Sequence, residues 1–537
     1  MLDILESRGY VGQIAGSRDA LDALMTGKRV GVYAGFDPTA RSLHVGHLIP
    51  LMVLFWMYIH GFHSVSILGG ATSKLGDPTG RTTAREQLSM ADHQTNMASM
   101  HFQLKKLWMK AELHARGYGY AHEWTWHRAV TNNNTWLNNV TVLEMLRLLG
   151  RGIRMGPMLG KDTVRSRMES GDGMSLSEFI YPIFQSWDWW HLYHTNDVVI
   201  QVGGSDQFGN ITAGIDAINY INKTHHDPKK RKENTGPLDT PIGFTTPLLT
   251  TASGEKFGKS AGNAVWLDQE STSTFDFYQF FVRTADADVE RYLKLFTLMP
   301  LADIQTLMSE HQADASQRIA QHKLAYEVMC LVHSKAEAKE AQKQHAQLFT
   351  RNRKPQQVSI SKSSNDSPEN SKSSNDSPEN SKPEVLSNAL NKRAPITTAF
   401  NSPSLNITLP ASLVVDQPIS RVLYSAGLVG SRSEGHRLCA QDGAYVGSRP
   451  ADGGTMGDSL EFTPCKNWLP RTTTKYIIDG KILILRVGKW KMKIVHLVSD
   501  QEFDAGGLTA PGWPIEEKSE DSRGKAKEVE DDASSVH

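Results

Sequence analysis

Between Tyr33 and His47 the chain reads YAGFDPTARSLHVGH, a stretch rich in residue types that bind and process nucleotides. An apolar run ends at Gly35, where the missing side chain lets a ligand approach the backbone. Asp37, Pro38 and Thr39 turn the chain, and His44, Gly46 and His47 open a long apolar helix. Two imidazoles three residues apart on a first helical turn share a face. They stand where free amides and the helix dipole favour anions. Gly46 leaves a gap in which a flat ring or a phosphate can press on the backbone. The glycine spacing is not that of a P-loop or a dinucleotide fingerprint. Taken alone, such a histidine pair more often caps a helix or packs in a core, and a metal reading lacks a third nearby ligand.

A second constellation is Lys256-Phe257-Gly258-Lys259-Ser260, set among Ser253, Gly254, Ala261 and Gly262. Two ammonium groups and a hydroxyl on a glycine-rich loop suit charge that appears transiently, as on a departing pyrophosphate. By itself it reads equally as a solvated surface loop.

These residues need a frame. Arg29–Gly35, Ser64–Leu68 and Asp197–Val202 read as buried strands, Leu48–His60 as a helix, and another helix starts near Asn210. Strand, helix, strand at this spacing predicts a parallel α/β sheet with right-handed crossovers and a ligand site at the strands' carboxyl ends. The sequence divides into a helical extension (1–29), an α/β domain (30–270) and an all-helical domain (271–352). A Met-, His- and Trp-rich insertion occupies 81–139 of the α/β domain. Residues 353–405 form a polar linker in which SKSSNDSPEN occurs twice in tandem, too polar to bury a core. Ordered composition returns over 406–500, and an acidic, disordered tail covers 501–537. From Lys466 to His496 there are eight Lys or Arg against Asp479 alone, in strand-like sequence. That excess suits either a phosphate-binding face or a lysine-protected edge strand.

Composition narrows the function. Lys plus Arg and Asp plus Glu each number 58 in 537 residues, which argues against holding nucleic acid by net charge. A 39% hydrophobic and 22% charged composition excludes a wholly disordered or fibrous chain. The longest apolar stretch, Leu48 to Ile59, is 12 residues, short of the roughly 18 a membrane span needs, so no membrane is expected. Cys330, Cys439 and Cys465 are too scattered for a disulfide framework or a structural metal site and fit a reducing compartment. The first 30 residues, with acids and bases mixed, match neither a secretory signal nor a transit peptide.

Together the two constellations match the signature pair of class I aminoacyl-tRNA synthetases, and the wording goes further. YAGFDPTARSLHVGHL, LGGATSKLGDPTGR (68–81), YPIFQSWD (181–188), QVGGSDQFGNITAG (201–214) and KFGKS resemble the tyrosyl-tRNA synthetase family. The insertion and the GDGMS and WDWWH stretches are similar to its fungal mitochondrial branch.

The resemblance implies a Rossmann-like catalytic domain, a helical anticodon-binding domain and a small α+β RNA-binding module. It implies that Tyr33 and Asp188 hold the phenol of tyrosine, Asp77, Tyr181 and Gln185 its ammonium, and that Gln201 lines the pocket. Asp37, Thr39, Gly46, His47, Asp206, Gln207 and Lys259 would contact ATP or the adenylate. Thr39, His44, His47, Lys256, Lys259 and Ser260 would carry the catalysis, with Mg2+ arriving on ATP. Ile419–Gly447 is similar to a ribosomal-protein-type RNA-binding fold, in which Arg432, Ser433, Glu434 and Arg437, with Lys489 and Lys491, would face RNA. The partners implied are L-tyrosine, tRNA(Tyr) and a second copy of the chain joined through the connective region to about residue 180; the alternative reading is an additional or sole role as an RNA-binding splicing cofactor, with group I intron RNA as its partner. The location implied is the mitochondrial matrix.

Overall fold

The computed structural model describes residues 1–79, 81, 83, 87–120, 127–169, 173–231, 238–249, 264–350, 405–447, 462–465, 473–488 and 491–513. Six strands form the first sheet: β1 (Ile14–Ala15), β2 (Gly31–Phe36), β3 (His63–Leu68), β4 (Arg128–Asn132), β5 (Val198–Gly204) and β6 (Ile242–Thr246). Their order is β1-β6-β5-β2-β3-β4, with β2 to β6 parallel and β1 antiparallel on β6. From β2 the chain builds outward through β3 and β4, then returns to the far side of β2 as β5. The order therefore reverses between β2 and β5, where a parallel sheet opens a crevice at its carboxyl edge.

The Val45–Ile59 helix is apolar on every side and nearly all of it is buried, between the sheet and the Asp286–Phe296 helix. It begins three residues before the apolar run because His44 supplies the cap. Pro50 is therefore its sixth residue, beyond the first turn, and its missing N–H releases the Gly46 carbonyl from the helical ladder.

The sequence reading sets 81–139 apart as an insertion, and the structure corrects this. Met90–Gly117 is the helical crossover from β3, and β4 closes the sheet edge in parallel register with β3. The Met90–Gly117 helix lacks a clean amphipathic pattern because it is covered on more than one side. His93, Met97, Met100, Leu104, Leu107 and Trp108 are buried on it, and the Trp108 indole N–H donates to Ser66 Oγ at 3.0 Å. Nearer its end Lys110 donates to the Val332 carbonyl and His114 meets Glu327 at 2.7 Å, tying the helical domain (Thr274–Thr350) to the sheet. The helical extension contributes Arg8, stacked 3.8 Å above Trp56, whose guanidinium donates to the Lys294, Thr297 and Met299 carbonyls at a helix end.

A second sheet, ordered β7-β11-β10-β8-β9, is built from Asn406–Pro410 (β7), Ala444–Gly447 (β8), Phe462–Pro464 (β9), Ile482–Val487 (β10) and Lys491–Val498 (β11). The basic strands β10 and β11 are interior, so the edge-strand reading fails. Leu483, Leu485 and Val495 pack in the core with helices Ile419–Ser425 and Arg432–Ala440. Ile482, Ile484, Met492 and Ile494 pack instead with Ala91, Ala98 and Phe102 of the Met90–Gly117 helix. The Asp479 carboxylate accepts the Ala91 N–H at 2.8 Å, capping that helix from the second sheet's domain. Ordered chain also runs past 500. Asp500–Ala505 is a helix begun by a Ser499–Glu502 capping box, with Phe503 in the core, so an acidic composition masked a short amphipathic element. The tandem repeat lies outside the described residues, as do residues 514–537.

Candidate active site

A cleft of about 270 Å³ opens at the carboxyl ends of β2, β3 and β5. Tyr33, Asp37, Thr39, His44, Gly46, His47, Asp77, Tyr181, Gln185, Asp188, Gln201, Asp206 and Gln207 all line it. Lys256, Lys259 and Ser260 lie outside the described residues, but both flanks of their segment are described. Thr246, Pro247, Leu248 and Leu249 line the cleft on one side. On the other, His44 and Trp266 form an antiparallel bridge, with Val45 N–H donating to the Val265 carbonyl and Leu267 N–H to that of Leu43.

At the helix start, Gly46 N–H donates to His44 Nδ1 and His44 N–H to His47 Nδ1, both at 3.1 Å. The rings stack with centroids 3.8 Å apart. With both Nδ1 atoms accepting, each neutral ring carries its proton on Nε2 and offers an N–H donor. A Cβ on Gly46 would meet the His44 ring at 3.0 Å. The space expected there for a ligand is taken by His44 folding back, which fixes that imidazole.

In the middle of the cleft, Asp37 accepts from Tyr181 OH and from Thr72 Oγ1, each at 2.9 Å. Gly69 is obligatory beside it, since a Cβ there would fall 1.9 Å from Asp37 Oδ1. Asp77 accepts from Gln207 Nε2 at 2.8 Å and from the Thr79 N–H. Gln185 donates to Gln207 Oε1 and accepts from Asn210 Nδ2. Burial holds the Asp77 carboxyl above the usual carboxylate range, and neighbouring Asp206 adds to this.

The deep end is set by β2 and β5, where Tyr33 and Gln201 are register partners. The Tyr33 hydroxyl and Gln201 Oε1 are buried without a hydrogen-bond partner among the described residues. Asp188, from the Leu176–Asn196 helix, is 5% exposed and accepts from Asn133 Nδ2 at 2.9 Å and Trp136 Nε1 at 2.7 Å. Burial lifts its pKa from the usual 3.8 to about 7, against the pull of those two donors. Asn133 also donates to Thr72 Oγ1 and accepts the Ala71 N–H, so one amide fixes both Asp188 and the threonine on Asp37. Sequence reasoning missed Asn133, Thr72 and Asn210, and gave Trp136 no role. The run Asn132-Asn133-Asn134 before Trp136 was the available signal.

No Lys or Arg is among the described residues lining this cleft, although four aspartates are. Four carboxyl groups converging on one cleft favour a ligand that carries positive charge, such as an ammonium group. Unpartnered buried Tyr33 OH and Gln201 Oε1 favour a ligand that brings hydrogen-bonding groups of its own.

In the second domain Arg432, Ser433 and Arg437 are exposed on the Arg432–Ala440 helix. Glu434 instead folds back to accept the Gly430 N–H at 2.7 Å. Lys491 is exposed, and Lys489 lies outside the described residues. Cys439 and Cys465 are free and buried, and burial pushes the Cys439 thiol up to about 11, so neither is a ready nucleophile.

The family model for class I tRNA synthetases (W and Y) matches residues 25–350, and that for the tyrosyl-tRNA synthetase C-terminal domain matches 397–515. Sheet, switch-point cleft and helix-start histidines thus belong to a class I aminoacyl-tRNA synthetase. A mitochondrial tyrosine–tRNA ligase of Podospora anserina is 45% identical over 518 residues, covering 95% of this chain and 77% of that protein. The mitochondrial tyrosine–tRNA ligase of Saccharomyces cerevisiae is 41% identical over 62% of this chain and 66% of its own. The crystal structure of a C-terminally truncated Aspergillus nidulans mitochondrial tyrosyl-tRNA synthetase superposes with a TM-score of 0.62 at 52% identity, over 65% of this chain and 94% of that one. Within the class, the chain belongs to the tyrosyl-tRNA synthetase family.

Proposed function

We propose that this cleft activates L-tyrosine with ATP and that the chain then passes the tyrosyl group to tRNA(Tyr) in mitochondrial translation. The chain is a ligase, a tyrosine–tRNA ligase by family. The observation that carries the substrate assignment is the buried, unpartnered Tyr33 hydroxyl in the cleft that also holds the buried Asp188 carboxylate. A phenol hydroxyl supplies a donor for Asp188 and an acceptor for Tyr33. Asp77, Tyr181 and Gln185 take the substrate ammonium.

The tyrosine carboxylate oxygen attacks the α-phosphorus of ATP, and the bond to pyrophosphate breaks with its electron pair leaving on the pyrophosphate oxygen. Thr39 and the His44 imidazole donate to the outer phosphates, His47 lies on the ribose side, and Asp37, Gly46, Asp206 and Gln207 hold the nucleotide. Lys256, Lys259 and Ser260 close over the transferring phosphoryl group. A terminal ribose hydroxyl of tRNA then takes the tyrosyl carbonyl and AMP departs. No side chain becomes covalently attached, so catalysis is positioning plus electrostatic stabilisation. Mg2+ enters as part of the nucleotide substrate.

Arg432, Arg437 and Lys491 are exposed cations suited to RNA phosphates, and group I intron RNA would be a second ligand of the same kind. We infer a location in the mitochondrial matrix, supported by relatives whose names call them mitochondrial. A homodimer is supported by exposed apolar side chains along the connective region, Leu143 at 78% and Leu176 at 73% among them.

The test is pyrophosphate–ATP exchange with tyrosine, using tryptophan as the control. Exchange should depend on tyrosine and collapse in Asp188→Ala. Exchange supported equally by tryptophan, or indifferent to Asp188, would sink the assignment.

A further inference from the structure

We propose that Gln103, on the Met90–Gly117 helix, is a positioning residue that holds the segment presenting His44 to ATP. Its Oε1 accepts the Leu43 N–H at 2.8 Å, and its Nε2 donates to Ser42 Oγ at 3.0 Å. Ser42 Oγ in turn donates to the Leu43 carbonyl at 2.7 Å. Ser42 and Leu43 are buried, so the Leu43 amide needs an acceptor, and one side chain some 60 positions away provides it.

The opposite side of the same segment is held by Val265 and Leu267 through the bridge at His44 and Trp266. Ser42 to Val45 is thus clamped between the crossover helix and the strand-like exit of the 250–263 segment. The cap at His44 can form only if this approach path is fixed, because the His44 N–H and Nδ1 must both face the first helical turn. Gln103 does not line the cleft, and its hydrogen bonds go to Ser42 and Leu43, which do not line it either, so its effect reaches ATP through backbone placement and leaves the tyrosine pocket alone.

This inference rests on reading the cleft as the tyrosine-activating site. The experiment is pyrophosphate–ATP exchange by the full chain carrying Gln103→Leu or Gln103→Glu, with thermal midpoints measured alongside. The leucine variant loses the acceptor at near-constant size. Its KM for ATP should rise about tenfold while the KM for tyrosine stays within about twofold. The glutamate variant keeps an acceptor for the Leu43 N–H, and the Ser42 hydroxyl can rotate to donate to it, so most ATP affinity should return. Wild-type values in the leucine variant would overturn the inference. So would equal losses for ATP and tyrosine with a lowered midpoint, or failure of glutamate to rescue. Absence of tyrosine-dependent exchange in the unmodified chain would instead overturn the underlying functional reading.

Discussion

Asp188 and Tyr33 are neighbours in function with opposite accounts in the free protein. Asp188 is satisfied by Asn133 and Trp136, whereas the Tyr33 hydroxyl is buried with no partner among the described residues. Tyr33→Phe therefore removes an unsatisfied group, and unfolding stability should hold or rise by up to about 1 kcal/mol. The preference for tyrosine over phenylalanine in exchange should fall by about tenfold, the equivalent of one hydrogen bond. Rejection of a substrate lacking its hydroxyl by unpaired site groups is a principle for which tyrosyl enzymes are the standing example. Asp188 adds a pH signature. Its folded value of about 7 lies above the usual 3.8, so the free folded chain holds that proton more tightly than the unfolded one. The stabilisation is complete below about pH 4 and is lost as pH rises through 7. Tyrosine binding wants the ionised form, so the KM for tyrosine should fall as pH rises from 6 to 8. Asp188→Asn should flatten both profiles, and a wild-type stability that falls no more steeply between pH 5 and 7.5 than that of Asp188→Asn would count against the assignment.

The Met90–Gly117 helix serves three parts of the molecule. Met97, Leu104 and Trp108 face the first sheet's core, Lys110 and His114 meet the helical domain, and Ala91, Ala98 and Phe102 meet the second sheet. Its start is capped by Asp479 from an Asp-Gly hairpin turn whose residues have φ of 51° and 65°. Asp479→Gly keeps a residue suited to positive φ and deletes only the cap. It should cost about 1 kcal/mol and speed hydrogen exchange at the Ala91 amide. Unchanged exchange there would mean that the second domain does not rest on this helix in solution.

At the scale of the molecule, exposed large apolar side chains among the described residues are concentrated between Val142 and Leu176, where Val142, Leu143, Leu146, Met155 and Leu159 stand exposed. Burial of that surface by a second copy predicts that Leu143→Asp shifts the chain to a monomer in sedimentation, with tyrosine–tRNA formation lost. A wild-type chain that sediments as a monomer at micromolar concentration would refute the dimer. The exposed Arg437 belongs to the same scale. Arg437→Ala should weaken RNA binding and lower its salt dependence by about one ion while leaving exchange untouched.

Read alone, the sequence determined the strand ends and the helix start that carries His44, Gly46 and His47, because these are local patterns with fixed periodicities, whereas the remaining cleft residues came from the resemblance of whole motifs to the tyrosyl-tRNA synthetase family. Tyr33 on its strand and His44 at its helix start could each be placed from their neighbours. What only the tertiary structure decided is how those groups are held. Asn133 reaches Asp188 across 55 positions, Gln103 reaches Leu43 across 60, and Asp479 caps Ala91 across 388. Such contacts leave no period in the chain. The Met90–Gly117 helix was misread as part of an insertion for the same reason: burial on several faces erases the one-sided apolar stripe by which a helix announces its place in a fold.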